Sequence, residues 1–145
     1  MKKKILLIIF SIGAGVLFTI FILNKDNIYA KEEYNVFAFQ AGAFENYDNA
    51  LNFKKKLPSS IIINEKNLYK IYVAMYKDID IVNKMIVYFE KNNINIYLKS
   101  LKINKEIYEK LSSYEKIIKN TEDEKIYKKI NQSILNEYKE SSNYE

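Results

Sequence analysis

The sequence predicts an α+β protein: a βαββαβ unit with a four-stranded antiparallel sheet, one transmembrane helix ahead of it and a helical extension behind. Three observations carry this. Residues Ile5 to Leu23 form 19 positions without a charge, close to the roughly 20 residues that cross a bilayer core. From Tyr34 to Ile103 the apolar residues switch between a period of two and a period near 3.6, the marks of strand and helix. Beyond Ile103 only the helical period remains. The chain therefore divides into an N-terminal cytoplasmic lysine run and anchor (1–24), a linker (25–33), the domain (34–103) and the extension (104–145).

The anchor comes first. Lys2, Lys3 and Lys4 precede the apolar run, and only Lys25 and Asp26 follow it closely, so the positive-inside bias places the N-terminus in the cytoplasm and the rest outside, as a single-pass membrane protein. A cleavable leader is the rival reading, with Ile28-Tyr29-Ala30 as the cleavage site. The apolar run exceeds the usual 7 to 15 residues of such a leader, and Ile28 is bulky for that position. Ser11 and Gly15 have the small-xxx-small spacing that lets helices approach, a spacing also frequent in helices that simply face lipid.

Outside the anchor, Tyr34 to Ala41 is aromatic and β-branched with alternating character, hence a strand. Tyr47 to Leu57 places Ala50, Phe53 and Leu57 at helical spacing, and Pro58 stops it. Ser60 to Asn64 and Leu68 to Tyr76 are two strands around a Glu65-Lys66-Asn67 turn, so they pair as a hairpin. Asp78 or Asp80 caps a second helix whose stripe is Val82, Met85, Ile86 and Phe89. Asn92-Asn93 ends it, and Ile94 to Ile103 is the last strand. This is the order of a split-βαβ (ferredoxin-like) unit, in which right-handed crossovers put both helices on one face and leave the other bare.

Composition narrows the chemistry. Cysteine and histidine are absent, which removes thiolate nucleophiles, disulfides, lipidation at cysteine, histidine bases and most transition-metal sites. No cofactor and no metal is expected. The net charge of +5 resides largely at the N-terminus; residues 31 to 145 carry 19 lysines against 17 acids, too balanced for a nucleic-acid partner. An RNA-binding reading of the same element order also conflicts with an extracytoplasmic domain. A glycan-cutting enzyme needs two carboxylates at a cleft. Glu45, Asp48, Glu65, Asp78, Asp80 and Glu90 are all expected in turns or on helices, so no enzyme is expected.

The run Phe39-Gln40-Ala41-Gly42-Ala43-Phe44 resembles the first-strand signature of SPOR domains, the sporulation-related repeat family. Asn49-Ala50, Leu57 and Tyr69-Lys70-Ile71-Tyr72-Val73-Ala74-Met75-Tyr76 follow in register, so the resemblance spans Tyr34 to Ile103. It implies noncatalytic binding of septal peptidoglycan, in particular glycan strands without stem peptides, at division or sporulation. Lysine stands at 70 where the family carries arginine, which loses the planar fork. Ala74-Met75 stand where it has Gly-Pro, so the turn after that strand should differ.

Strand alternation selects the candidate site. With Phe39, Ala41, Ile71 and Val73 toward the helices, Gln40, Lys70 and Tyr72 share the bare face, and Tyr97 and Lys99 extend it. The Gln40 amide suits an acetamido group, Lys70 suits sugar oxygens and Tyr72 suits stacking. Phe44 and Tyr69 are expected to shape the site by packing. Gly42 is the only glycine outside the membrane segment, which points to a positive φ or a close approach.

In the extension, Ile107, Leu111, Tyr114 and Ile118 form one stripe and Tyr127, Ile130, Ile134 and Tyr138 another. Thr121 with Glu124 reads as a capping box between two helices, near 105–119 and 122–140. Helices of this length and composition need a packing surface. They either fold back on the domain or on each other, or dock a septal protein partner or a second copy. The acidic run Glu122-Asp123-Glu124 suits a helix N-terminus rather than a metal. An envelope assembly protein working through these helices is the alternative function.

Overall fold

The computed structural model describes residues 32–142. The anchor and most of the linker lie outside the described residues. Among the described residues no helix is long and apolar enough to cross a membrane.

The element order is β1 (Glu33–Phe44), α1 (Tyr47–Lys54), β2 (Ile61–Glu65), β3 (Leu68–Tyr76), α2 (Ile79–Lys91), β4 (Tyr97–Asn104), α3 (Lys105–Lys119) and α4 (Glu124–Ser142). The four strands form one antiparallel sheet in the order β2-β3-β1-β4.

Local chemistry sets the boundaries. Asn46 accepts from the backbone N–H groups of Asp48 and Asn49 and starts α1. That helix ends at Lys54, ahead of the expected stop at Pro58. Lys66 and Asn67 both have positive φ, the conformation of a tight two-residue hairpin turn between β2 and β3. Asp78, not Asp80, caps α2 by accepting from the Asp80 N–H. At the other end Asn93 takes φ 55°, while Ile94 N–H reaches Phe89 C=O and Asn93 N–H reaches Glu90 C=O. These bonds make a Schellman close with asparagine in the position glycine usually holds. β3 runs straight through Ala74 and Met75 to Tyr76, so no turn stands where the family has Gly-Pro.

The extension corrects one expectation and settles another. No capping box forms: Thr121 Oγ1 accepts from Asp123 N–H, Asp123 Oδ1 accepts from Lys125 N–H, and Glu124 turns instead to Lys91 and Asn92. The two helices fold back on the domain. Ile107, Leu111, Ile118, Tyr127, Ile130, Ile134 and Leu135 join one core with Phe39, Tyr72, Met75 and Phe89. Most of the stripe is thus buried in the domain's own core, with Tyr114 and Tyr138 partly exposed.

This packing removes the bare face over the middle of the sheet. Ile71 to Tyr76 are all buried, and because successive strand side chains point to opposite faces, both faces of β3 are covered there. α4 packs along β3 and β2, α1 packs on β1, β2 and β3, and Phe89 of α2 meets Phe39 with ring centroids 5.6 Å apart. Outer strand β4 escapes: Tyr97 to Ser100 are exposed.

Candidate glycan-contacting strand

The register places the predicted residues in one row. Ile61 is opposite Tyr72, Tyr72 opposite Gln40, and Gln40 opposite Tyr97. Opposed residues of a regular pairing point to the same face, so Gln40 and Tyr97 share one, joined by Lys99 two residues from Tyr97; Tyr72, with Lys70 two residues from it, meets Gln40 across a pairing that is irregular on both sides of Gln40. The irregular pairing around Gln40 and Ala41 is what keeps Gln40 level with Tyr72.

Exposure, however, runs as a gradient along this row. Tyr72 is 1% exposed, Gln40 8% and Tyr97 63%. The expectation that Tyr72 stacks on a ligand is corrected: α4 lies against this strand, and Tyr138 is near enough to act on the Tyr72 phenol. Burial first, then the adjacent Glu65 carboxylate, pushes the Tyr72 pKa far above its usual value.

Lys70 is also engaged. Its Nζ donates to Glu65 Oε2 at 2.5 Å while Tyr72 OH donates to Glu65 Oε1 at 3.1 Å. Glu65, expected in a turn, is instead the last residue of β2. Its carboxylate satisfies both groups assigned to sugar. The hairpin turn after it brings the chain back immediately, a proximity that the short spacing to Lys70 foreshadowed but that only the strand register fixes.

Phe44 and Tyr69 do pack, but in seating α1. Phe44 meets Phe53 at 5.3 Å and Tyr69 meets Tyr47 edge-on at 5.3 Å. Gly42 has no positive φ. A Cβ there would lie 2.8 Å from the Phe44 ring, so the close approach is the reason for glycine.

What stays accessible is the β4 end, with Tyr97 as a platform and Lys99 exposed beside it, while Gln40 is nearly buried at the inner rim. Ala38 lies opposite Lys99 and is itself buried. The Gln40 amide makes no hydrogen bond with another described residue.

The residues that hold the extension in place were not singled out by the sequence. Glu115, buried, accepts from Lys77 and Asp78 N–H. Lys77 Nζ donates to Tyr108 C=O and Ser112 Oγ and sits 4.0 Å from the Tyr108 ring centroid. Lys84 Nζ donates to Ile118 C=O, Thr121 C=O and Glu122, closing the end of α3 from α2. Burial is the largest single influence on Lys84 and opposes its charge, but the hydrogen bond to Glu122, the adjacent Tyr127 and the Glu122 charge together outweigh it and the pKa rises. Tyr76 OH donates to Asn131 of α4. Lysine and glutamate are so common here that no spacing signal marks these. Among the described residues no group of three or more acidic, histidine or cysteine side chains is placed to hold a metal. No family model, no curated protein and no solved structure matches this chain.

Proposed function

We propose that this chain is a noncatalytic, membrane-tethered binding module of the cell envelope that contacts peptidoglycan glycan strands at the septum through the β4 side of its sheet. The observation that carries the reading is the Gln40–Tyr97 pair. An exposed phenol ring beside an amide that no other described residue engages, with the Lys99 ammonium on the same face, offers an apolar platform and hydrogen-bonding groups of both signs. This is what an acetamido sugar presents for recognition.

The strand order, read as β4-β1-β3-β2 and antiparallel throughout, supports a split-βαβ (ferredoxin-like) reading of the first six elements, and with it the SPOR resemblance. The contact region is smaller than the sequence implied, since Lys70 and Tyr72 are bound to Glu65. The apolar run at the N-terminus supports tethering with the domain outside. Co-sedimentation of the full chain with peptide-free glycan strands tests this. Tyr97→Ala and Gln40→Ala reduce retention, whereas Tyr72→Phe retains it; a folded protein that never sediments contradicts the proposal.

A protein-binding assembly role is the second reading. Phe37 and Leu98 are both exposed and, by register, share the face opposite Gln40 and Tyr97. That pair, rather than the buried stripes of α3 and α4, is the surface such a partner would use. A crosslinker placed at Phe37 that captures an envelope protein in the absence of glycan retention favours this reading.

A further inference from the structure

A cleft of about 490 Å³ lies between the start of α2 and one side of α3. Ser112, Glu115, Lys116 and Lys119 line it from α3, at spacings that bring them to one side of the helix. Lys77 and Asp78 line it from the link between β3 and α2. Glu115 is the unusual member. Its side chain is 6% exposed, and Oε1 accepts from the backbone N–H groups of both Lys77 and Asp78. Oε2 accepts from no described residue, and it is not sealed in the interior: it faces the cleft. In the same helix Glu106 and Lys110, four residues apart, pair at 3.0 Å. Glu115 and Lys119 have that spacing but make no ion pair, the carboxylate being turned to the Lys77 and Asp78 backbone. Lys116 and Lys119 are exposed, and neither has an ion-pair partner among the described residues. The cleft therefore holds spare hydrogen-bonding groups of both signs.

Those signs select the ligand. A plain cation would meet the ammonium groups of Lys77, Lys116 and Lys119, and a plain anion would meet the carboxylates of Glu115 and Asp78. A zwitterion avoids both conflicts, because its ammonium donates to Glu115 Oε2 while its carboxylate accepts from Lys116 and Lys119, with charge assisting each bond. Side chains at i and i+4 on a helix start about 5–6 Å apart, so the two charges of the ligand must lie close together. An α-amino acid carries both on one carbon. Its side chain is left to the open part of the cleft.

We infer that this cleft binds the α-amino-acid group, with Glu115 holding the ammonium and Lys116 and Lys119 the carboxylate. The inference stands apart from the glycan reading, since the cleft shares no residue with Gln40, Tyr97 and Lys99.

The test uses the full chain, ¹⁵N-labelled, in an uncharged detergent and titrated with glycine. The Lys77 and Asp78 amide signals report on Glu115, because both groups donate to its Oε1. They shift and saturate with glycine, and respond far less to acetate or methylammonium, each of which brings one charge only. Glu115→Gln keeps a carbonyl oxygen for the two N–H groups but sets an NH2 where the ammonium is held. It stays folded by circular dichroism and weakens glycine binding about tenfold, the worth of one hydrogen bond to a charged group. Replacing Lys116 and Lys119 together by glutamine weakens it from the carboxylate side, and Tyr97→Ala leaves it intact. A peptide containing diaminopimelate, whose side chain ends in the same group, tells a peptide-borne ligand from a free amino acid: tighter binding than glycine assigns the first, exclusion assigns the second, and both uphold the site. Amide signals that stay still up to roughly 50 mM glycine, a range that covers millimolar affinity, overturn the proposal. So does an equal response to acetate, which marks an anion site only, or an unweakened response in both the glutamate and the lysine variants.

Discussion

At the residue scale, two tyrosines on one row have opposite duties. Tyr72 is buried and donates to Glu65, while Tyr97 stands in solvent. Tyr72→Phe is therefore expected to lower stability by about 0.5–1.5 kcal/mol, the net worth of a hydrogen bond, without changing glycan retention. Tyr97→Ala should stay within about 0.5 kcal/mol of wild type in urea unfolding and should lose retention. Tyr76→Phe is more costly, about 1–3 kcal/mol, because Asn131 already has a buried Nδ2 without a partner and would then lose its only bond at Oδ1 among the described residues. Alkali should expose the same ranking. Burial raises the pKa of Tyr72, Tyr76 and Tyr88, so the folded state holds their protons beyond the ordinary value of about 10. Their contribution is complete below that pH and is lost as pH rises toward the folded-state values. Absorbance at 295 nm should show these rings ionising together with loss of helical circular dichroism, after the exposed ones.

Elements were legible where period and punctuation agreed. The hairpin at Lys66-Asn67, the asparagine stop after α2 and both trailing helices follow from residues that have few alternatives at those positions. The sequence was less informative about what each element would cover. A strand with alternating polarity reads as half-exposed, and Lys70 and Tyr72 are polar enough to suggest it. Yet a tyrosine can be buried when its hydroxyl finds a partner, and Glu65 supplies one from across a turn. The stripe on the trailing helices fixed that they needed a surface; it did not name β3. That packing is testable. Ile134→Ala in α4 should destabilise the protein by about 2–5 kcal/mol and make Tyr72 accessible to nitration. Lys84→Met removes the group that closes α3, at a cost on the order of 1–3 kcal/mol. The effect of Lys84→Met should shrink in acid, where Glu122 protonates. The hydrogen bond from Lys84 holds the Glu122 pKa below its usual value, so this contribution is present above about 4.3 and is lost as pH falls through the lowered value.

Among the described residues, the four helices and four strands share one core that spends most of the sheet on internal packing. The surface left for recognition is the outer strand, with Tyr97, Lys99 and the rim residue Gln40 on one side and Phe37 with Leu98 on the other. The proposed binding role calls for an exposed strand held rigid by its neighbours. The most direct measurement is a titration of the full chain, with ¹³C-labelled tyrosine rings assigned by single Tyr→Phe changes, against peptide-free glycan strands. The Tyr97 ring signal should move with added glycan while that of Tyr72 holds its position. Movement of Tyr72 with Tyr97 unmoved would mean that α4 lifts away and the sheet centre binds, and silence from both would mean that this strand does not recognise glycan.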